Sequence, residues 1–160
     1  MEGRAEVSTL IIGCGNADRG DDAAGLLVAR RLRAMGVEAQ EQSGEALALI
    51  ESWRETNERP DVILVDAVVT GAAPGAVIVW DARQAPVVGD YFRCSTHAFG
   101  VAGAIELARI LDLLPPSLLI YGIEAGQFGI GSEPSAEVLR AIEEVAGRIA
   151  VEVGTCMSPA

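Results

Sequence analysis

Residues 10–25 read LIIGCGNADRGDDAAG, an apolar run followed by closely spaced glycines and then by acidic residues. An apolar run that ends in glycines and precedes a helical apolar stripe is typical of a buried first strand and the helix after it. We expect a tight turn at Gly13-Cys14-Gly15 that lets helix and strand pack closely, with Gly20 or Asp21 as the helix N-cap. The stretch therefore predicts a strand–turn–helix unit at the start of an α/β fold.

The rest of the chain continues the alternation of strands and helices. The apolar patterns predict strands at residues 9–13, 37–42, 61–68, 76–80 and 118–123, and helices at 21–35, 45–53, 99–114 and 135–153. Residues 84–94 are expected to form a loop, Pro115-Pro116 to stop the third helix, and the tail from Gly154 to be disordered. This order indicates a mostly parallel sheet of about five strands, covered by helices on both faces.

Composition excludes several classes of partner and site. The formal net charge is −11 and the twelve basic residues are scattered, which argues against nucleic-acid binding. No signal peptide or apolar run of membrane-spanning length is visible, so we expect a cytoplasmic protein with no membrane partner. Cys14, Cys94 and Cys156 are widely spaced without a CxxC pair, which fits a reducing compartment and disfavours a thiolate zinc site.

Three polar positions stand out against the apolar sequence. Asp22 follows the first strand, Asp66 ends the apolar run of the third strand, and His97 is the one histidine of the chain. If those two strands are neighbours, both carboxylates face one crevice at the carboxyl edge of the sheet, and His97 can reach the same edge. Each residue alone has a simpler role, Asp22 as a helix-dipole carboxylate and His97 as a hydrogen-bonded histidine, but together they predict a site.

The chemistry of these residues leaves alternatives open. Two carboxylates and one imidazole leave coordination positions vacant, so the site could hold zinc and activate water, or accept a nickel or zinc ion carried by a partner. A Cys94–His97 nucleophilic pair is a further alternative, although a loop thiol is the simpler interpretation. Nucleotide binding is disfavoured, because Asp18 occupies the third glycine position and acids crowd the helix start.

At these residues the chain resembles the hydrogenase maturation endopeptidases, which process the large subunit of nickel–iron hydrogenases. The matching elements, in order along the chain, are Gly13-Cys14-Gly15-Asn16 with Asp21-Asp22-Ala23-Ala24-Gly25, then Val65-Asp66-Ala67, then Ser95-Thr96-His97-Ala98-Phe99-Gly100, and then Tyr121-Gly122-Ile123-Glu124. The resemblance covers nearly the whole chain, from Leu10 to about Val153.

The resemblance implies a single three-layer α/β/α domain over residues 1–160, phosphorylase/hydrolase-like, with an ordered core at about 8–153. It implies a monomeric endopeptidase that removes the C-terminal extension of a hydrogenase large-subunit precursor after nickel insertion. Asp22, Asp66 and His97 fall on the family's metal-contacting positions. The nickel would come with the substrate, zinc or cadmium can substitute, no nucleotide is needed, and water would be the nucleophile.

Four further residues of the matching elements are expected to line the substrate: Asn16, Asp21, Gly122 and Glu124. Two other functions remain compatible with the same residues. One is a free-standing metal-dependent hydrolase or peptidase with permanently held zinc. The other is a non-catalytic metal-sensing or chaperone module that binds the partner without cutting it.

Overall fold

The computed structural model describes residues 8–54, 58–92 and 100–157, with side chains as far as residue 154. Within these ranges, strands and helices alternate as the apolar periodicity predicts. The strands are β1 Thr9–Cys14, β2 Gln40–Gln42, β3 Asp61–Val68, β4 Val77–Asp81 and β5 Leu118–Glu124; the α-helices are α1 Ala24–Ala34, α2 Ala46–Arg54, α3 Gly100–Ile110 and α4 Ala136–Met157. Short 3₁₀ turns occur at Gly20–Ala23 and Gly89–Phe92.

The five strands form one sheet in the order β2-β1-β3-β5-β4. All neighbours pair in parallel except β4, which runs antiparallel to β5 at the edge of the sheet. The chain moves from β1 outward to β2 and then returns to the other side of β1 with β3. The strand order therefore reverses between β1 and β3, which is where open α/β sheets place their ligands.

Both faces of the sheet are buried, which explains the continuous apolar runs in β1 and β3. Ile11 and Ile63 face a cluster that includes residues of α1 and α4. Ile12 and Leu64 face the opposite cluster, which includes residues of α2 and α3. Helices on both sides of a mostly parallel sheet confirm the predicted α/β class and its three layers.

The glycines of the first motif allow α1 and the 3₁₀ turn before it to lie directly on β1. A Cβ atom on Gly13 would lie 2.0 Å from the carbonyl oxygen of Gly25, and one on Gly15 would lie 2.0 Å from that of Asp22. Gly25 is equally crowded, because a Cβ atom added there would lie 2.2 Å from Cys14 O and 2.3 Å from Val65 O. The predicted role of these glycines in close helix–strand packing is confirmed.

The start of the first helix differs from the prediction. The chain makes a 3₁₀ turn at Gly20–Ala23 before α1 begins at Ala24. Arg19 is the residue before that turn, and its side chain makes no capping hydrogen bond there. The prediction of Gly20 or Asp21 as N-cap was wrong, because the Asp21 carboxylate is used for contacts with another loop, as described below.

Two helix ends also differ. α3 ends at Ile110 rather than at Pro115-Pro116, because Asp112 takes a left-handed conformation with φ 56° and Leu113 N–H turns back to Ala108 O at 2.8 Å. α4 continues to Met157, past Val153 where the sequence predicted its end. Of the predicted loop at 84–94, the part up to residue 92 includes the 3₁₀ turn Gly89–Phe92, and Cys94 lies outside the described residues.

Candidate metal centre

Asp22 and Asp66 lie at the point where the strand order reverses. Asp22 is part of the 3₁₀ turn that follows β1, and Asp66 lies within β3, next to Gly122 of β5. Both side chains are buried, with relative exposures of 3% and 5%. β1 and β3 are neighbours, so the condition under which the sequence predicts two carboxylates in one crevice is met.

Asp66 carries a buried carboxylate on β3, the central strand of the sheet. Within the described ranges no salt bridge involves it, and its side chain accepts one hydrogen bond, from Ala67 N–H at 2.9 Å. Burial raises the pKa of Asp66 well above its usual range, the charge of Asp22 raises it further, and the Ala67 bond acts in the opposite direction. A cation between the two acids would relieve both effects.

Burial also changes the pKa of the Asp22 carboxyl. Burial raises the pKa of Asp22 to about 6, partly offset by the positive charge of Arg19. Cys14 lies at the end of β1, where burial and the charge of Asp66 raise the pKa of its thiol. The Cys14 thiol is therefore protonated and shielded, which is unlike an activated nucleophile.

The third predicted ligand cannot be located in the same way. His97 lies outside the described residues, as do Cys94, Ser95 and Thr96. Among the residues that are described, no group of three or more histidine, cysteine, aspartate or glutamate side chains is arranged to hold a metal ion. The structure thus brings Asp22 and Asp66 together, and the participation of His97 stays a prediction.

Asp21 holds two loops together, and its expected role in lining the substrate stays a prediction. The side chain is fully buried, with Oδ2 accepting hydrogen bonds from Gly126 N–H at 2.8 Å and Gln127 N–H at 2.9 Å. Its Oδ1 accepts from Ser135 N–H at 2.7 Å and from the Ser135 hydroxyl at 3.0 Å. The Asp21 carboxylate therefore joins the two ends of the 126–135 loop. Because Ser135 immediately precedes α4, the same carboxylate also fixes the start of that helix.

Glu124 has a similar role on the neighbouring loop, and its expected role in lining the substrate likewise stays a prediction. It is 2% exposed, and its carboxylate accepts hydrogen bonds from Thr70 N–H at 2.9 Å, the Thr70 hydroxyl at 2.8 Å and Gly71 N–H at 3.1 Å. Gly122 is also buried, and a Cβ atom there would lie 2.5 Å from the Trp80 ring. Asn16 is the partly exposed member of the predicted set, and its side chain accepts from Asp18 N–H at 3.0 Å.

The sequence did not predict that the carboxylates of Asp21 and Glu124 each hold a loop in place. One available signal was that Glu124, like Asp66, is a carboxylate in an otherwise apolar strand, and a buried carboxylate must be paired, hydrogen-bonded or bound to a cation. Among the described residues, the Asp66 carboxylate accepts one hydrogen bond, whereas those of Asp21 and Glu124 each accept several. The difference separates carboxylates available for a cation from carboxylates that hold loops in place.

The raised pKa of Asp22 predicts that the metal-free protein loses stability as the pH rises from about 4 to about 6. In that window the unfolded chain releases its Asp22 proton at 3.8 while the folded chain retains it, so ionisation favours unfolding. The shift from 3.8 to about 6 sets an upper bound of about 3 kcal/mol, and screening by solvent makes the loss smaller than that. Urea unfolding of the metal-free protein at several pH values measures this loss.

Asp22→Asn should remove this part of the pH dependence. Asp18→Asn, a change at an exposed acid of the same segment, controls for the loss of one charge. An Asp22→Asn variant whose stability still falls as steeply as that of the unchanged protein would show that Asp22 is not a strained carboxylate.

Comparison with known proteins agrees with the fold and identifies a family. The family model described as HycI, hydrogenase maturation protease, matches residues 44–152, which include Asp66, His97 and Glu124. Protein FrxA of Pyrococcus furiosus is 29% identical over 128 residues, covering 77% of this chain and 88% of that protein. None of the described helices combines the length and apolar character needed to cross a membrane.

Solved structures share the architecture. A [NiFe] hydrogenase maturation protease HycI from Thermococcus kodakarensis KOD1 is 28% identical with a TM-score of 0.67, covering 91% of each chain. The hydrogenase maturating endopeptidase HybD from Escherichia coli, at 19% identity and a TM-score of 0.73 over 92% of each chain, shows the shared fold. With the family model matching more than half of its residues, the chain belongs to the hydrogenase maturation protease family and is a peptidase.

Proposed function

We propose that this chain removes the C-terminal extension from the large-subunit precursor of a nickel–iron hydrogenase, and that it recognises nickel already inserted in that substrate. Membership of the protease family supports the reaction, and the name of the HycI relative associates that protein with [NiFe] hydrogenases. The observation that carries the nickel recognition is the pair of buried, mutually repelling carboxylates, Asp22 and Asp66.

The two carboxylates supply oxygen ligands in a place where a cation is favoured. Each is buried, the charge of Asp22 raises the pKa of Asp66, and among the described residues only Ala67 N–H donates to the Asp66 carboxylate. A divalent ion would remove the repulsion and compensate the cost of burying both charges. In this proposal His97 supplies the third protein ligand, so nickel can keep its thiolate ligands from the precursor.

This arrangement makes nickel a signal that the precursor is ready. A precursor without nickel would bring no cation to Asp22 and Asp66, and its extension would be held less well beside them. A nickel-loaded precursor is positioned by the metal, which brings the peptide bond to a defined place. Asp21 and Glu124 contribute by fixing the loops around the two acids, so that little ordering is needed when substrate binds.

Water is the proposed nucleophile. Cys14 is buried and its pKa is raised, so it does not fit the role of attacking thiolate. The Cys94 alternative is tested by Cys94→Ala, which keeps full activity if water attacks the peptide bond.

Paired cleavage reactions test the proposal. Purified protein is incubated with nickel-loaded precursor and with metal-free precursor, and release of the extension is followed by mass spectrometry. We expect cleavage of the nickel-loaded form at least about 100-fold faster, because docking energy from two or three metal ligands is lost in the other. Zinc- or cadmium-loaded precursor tests whether another ion substitutes. Equal cleavage of loaded and metal-free precursors would refute nickel recognition.

A further inference from the structure

Ile130 is a large aliphatic side chain exposed to solvent in a segment that is otherwise well anchored. Its relative exposure is 89%. It lies in the 126–135 loop between β5 and α4, where its neighbours Gly129 and Gly131 add no side-chain cover. Single exposed aliphatic side chains are common on protein surfaces, and the place of Ile130 in the fold is what suggests a contact with a partner.

Hydrogen bonds at both ends and near the tip, together with one core contact, fix the 126–135 loop in place. The Asp21 carboxylate joins Gly126 and Gln127 to Ser135, as described above. Nearer the tip, Gly131 N–H donates to Asp18 O at 2.7 Å. Phe128 packs against the core cluster on the α1 and α4 side of the sheet. The loop thus presents Ile130 without needing to become ordered first, which lowers the entropic cost of binding.

The same hydrogen bonds tie Ile130 to the candidate metal centre. The segment that holds the loop is 18–21, and Asp22 is the next residue along the chain. The fit between the two segments is close, because a Cβ atom on Gly20 would lie 2.5 Å from Gln127 O. The loop also follows β5, the neighbour of the strand that carries Asp66. Ile130 therefore lies on a loop at the carboxyl edge of the sheet, beside the segment that leads into Asp22.

We propose that Ile130 is a contact residue for the hydrogenase large-subunit precursor and inserts into an apolar depression beside the extension that is removed. The inference rests on the proposed function, since the precursor is the protein that covers this edge during cleavage. The uncharged tip Phe128-Gly129-Ile130-Gly131 fits an apolar contact and not a charged one. An apolar contact beside a polar site is common in protein–protein interfaces.

Steady-state cleavage of nickel-loaded precursor by Ile130→Asp tests the proposal. Loss of one buried isoleucine contact predicts a KM increase of about 10- to 100-fold with kcat changed less than about 2-fold. Ile130→Leu should retain a KM near that of the unchanged protein. Ile110→Asp is the matched control, because Ile110 is 80% exposed and ends α3 at the opposite edge of the sheet. Unfolding temperatures of all variants should agree, since neither isoleucine is packed.

Three outcomes would overturn the inference. One is an unchanged KM in Ile130→Asp, and another is an equal KM increase in Ile110→Asp. The third is a dimer of the unchanged protein, seen by light scattering, that Ile130→Asp dissociates, which would assign Ile130 to self-association. Failure of the nickel proposal looks different: the unchanged protein would cleave or bind metal-free precursor as well as loaded precursor. Binding of precursor to Ile130→Asp, measured calorimetrically, tests the contact even if no cleavage is seen.

Discussion

Replacement of Asp66 by asparagine should reduce cleavage of nickel-loaded precursor by at least about 100-fold, more than the loss typical for outer-shell partners of a metal. At the same time the metal-free variant should be more stable than the unchanged protein. Asparagine keeps an oxygen that can accept the hydrogen bond from Ala67 N–H, and it removes a buried charge that Asp22 repels. We expect a gain of about 1–2 kcal/mol, the range common when strain at a functional site is relieved.

Opposite changes in activity and stability distinguish this account from simple damage to the fold. Unfolding temperature by scanning calorimetry and cleavage by mass spectrometry are measured on the same preparation. Asp61→Asn is the control, because Asp61 begins the same strand at the opposite edge of the sheet. That variant should keep full activity. An Asp66→Asn protein that is both inactive and destabilised would indicate that Asp66 supports the fold and not a metal-dependent reaction.

The second large effect is expected from Gly25→Ala, which should destabilise the protein by at least about 3 kcal/mol, the upper end for overpacking. The new methyl group would lie 2.2 Å from Cys14 O and 2.3 Å from Val65 O, both of which are backbone atoms of central strands. Backbone in the middle of a sheet cannot move aside as a flexible side chain can. Relief would require α1 to shift away from the sheet and to carry Asp22 away from Asp66.

Gly147→Ala provides the matched control for this substitution. Gly147 also lies within a helix, α4, and nothing surrounds the position that its Cβ would take. Alanine there should stabilise the protein by about 0.5–1 kcal/mol, because it has the better helix propensity. Urea unfolding of both variants measures the contrast. Similar stabilities for Gly25→Ala and Gly147→Ala would show that close packing of α1 on the sheet is unimportant.

The fold could be predicted because its signals are local. Residues 61–68 are apolar except for Asp61 and Asp66, and β3 has the predicted bounds. The glycines around Cys14 indicated close helix packing, which Gly25 and its contacts confirm. Helix ends were less predictable: α3 stops where Asp112 adopts a left-handed conformation, and that choice depends on the contact of Leu113 with α3 and not on the prolines further on.

The candidate site was predictable in part, for a physical reason. Asp22 and Asp66 come from strand ends that topology rules bring together, so their proximity follows from the order of the elements. The roles of Asp21 and Glu124 depend on partners that are distant in sequence, such as Ser135 and Thr70. Sequence patterns show that a buried carboxylate needs a partner, but which carboxylate receives backbone N–H groups is decided by loop geometry. The functions of neighbouring acids therefore became separable only in the structure.

The account's central claim is that Asp22 and Asp66 contact one metal ion together. Anomalous diffraction from crystals soaked with cadmium or zinc tests this directly. We predict a single ion bonded to oxygens of both carboxylates, with the imidazole of His97 as a further ligand, at distances of about 2.0–2.4 Å. An ion bound elsewhere, or an ion at this edge that touches neither Asp22 nor Asp66, would contradict the account.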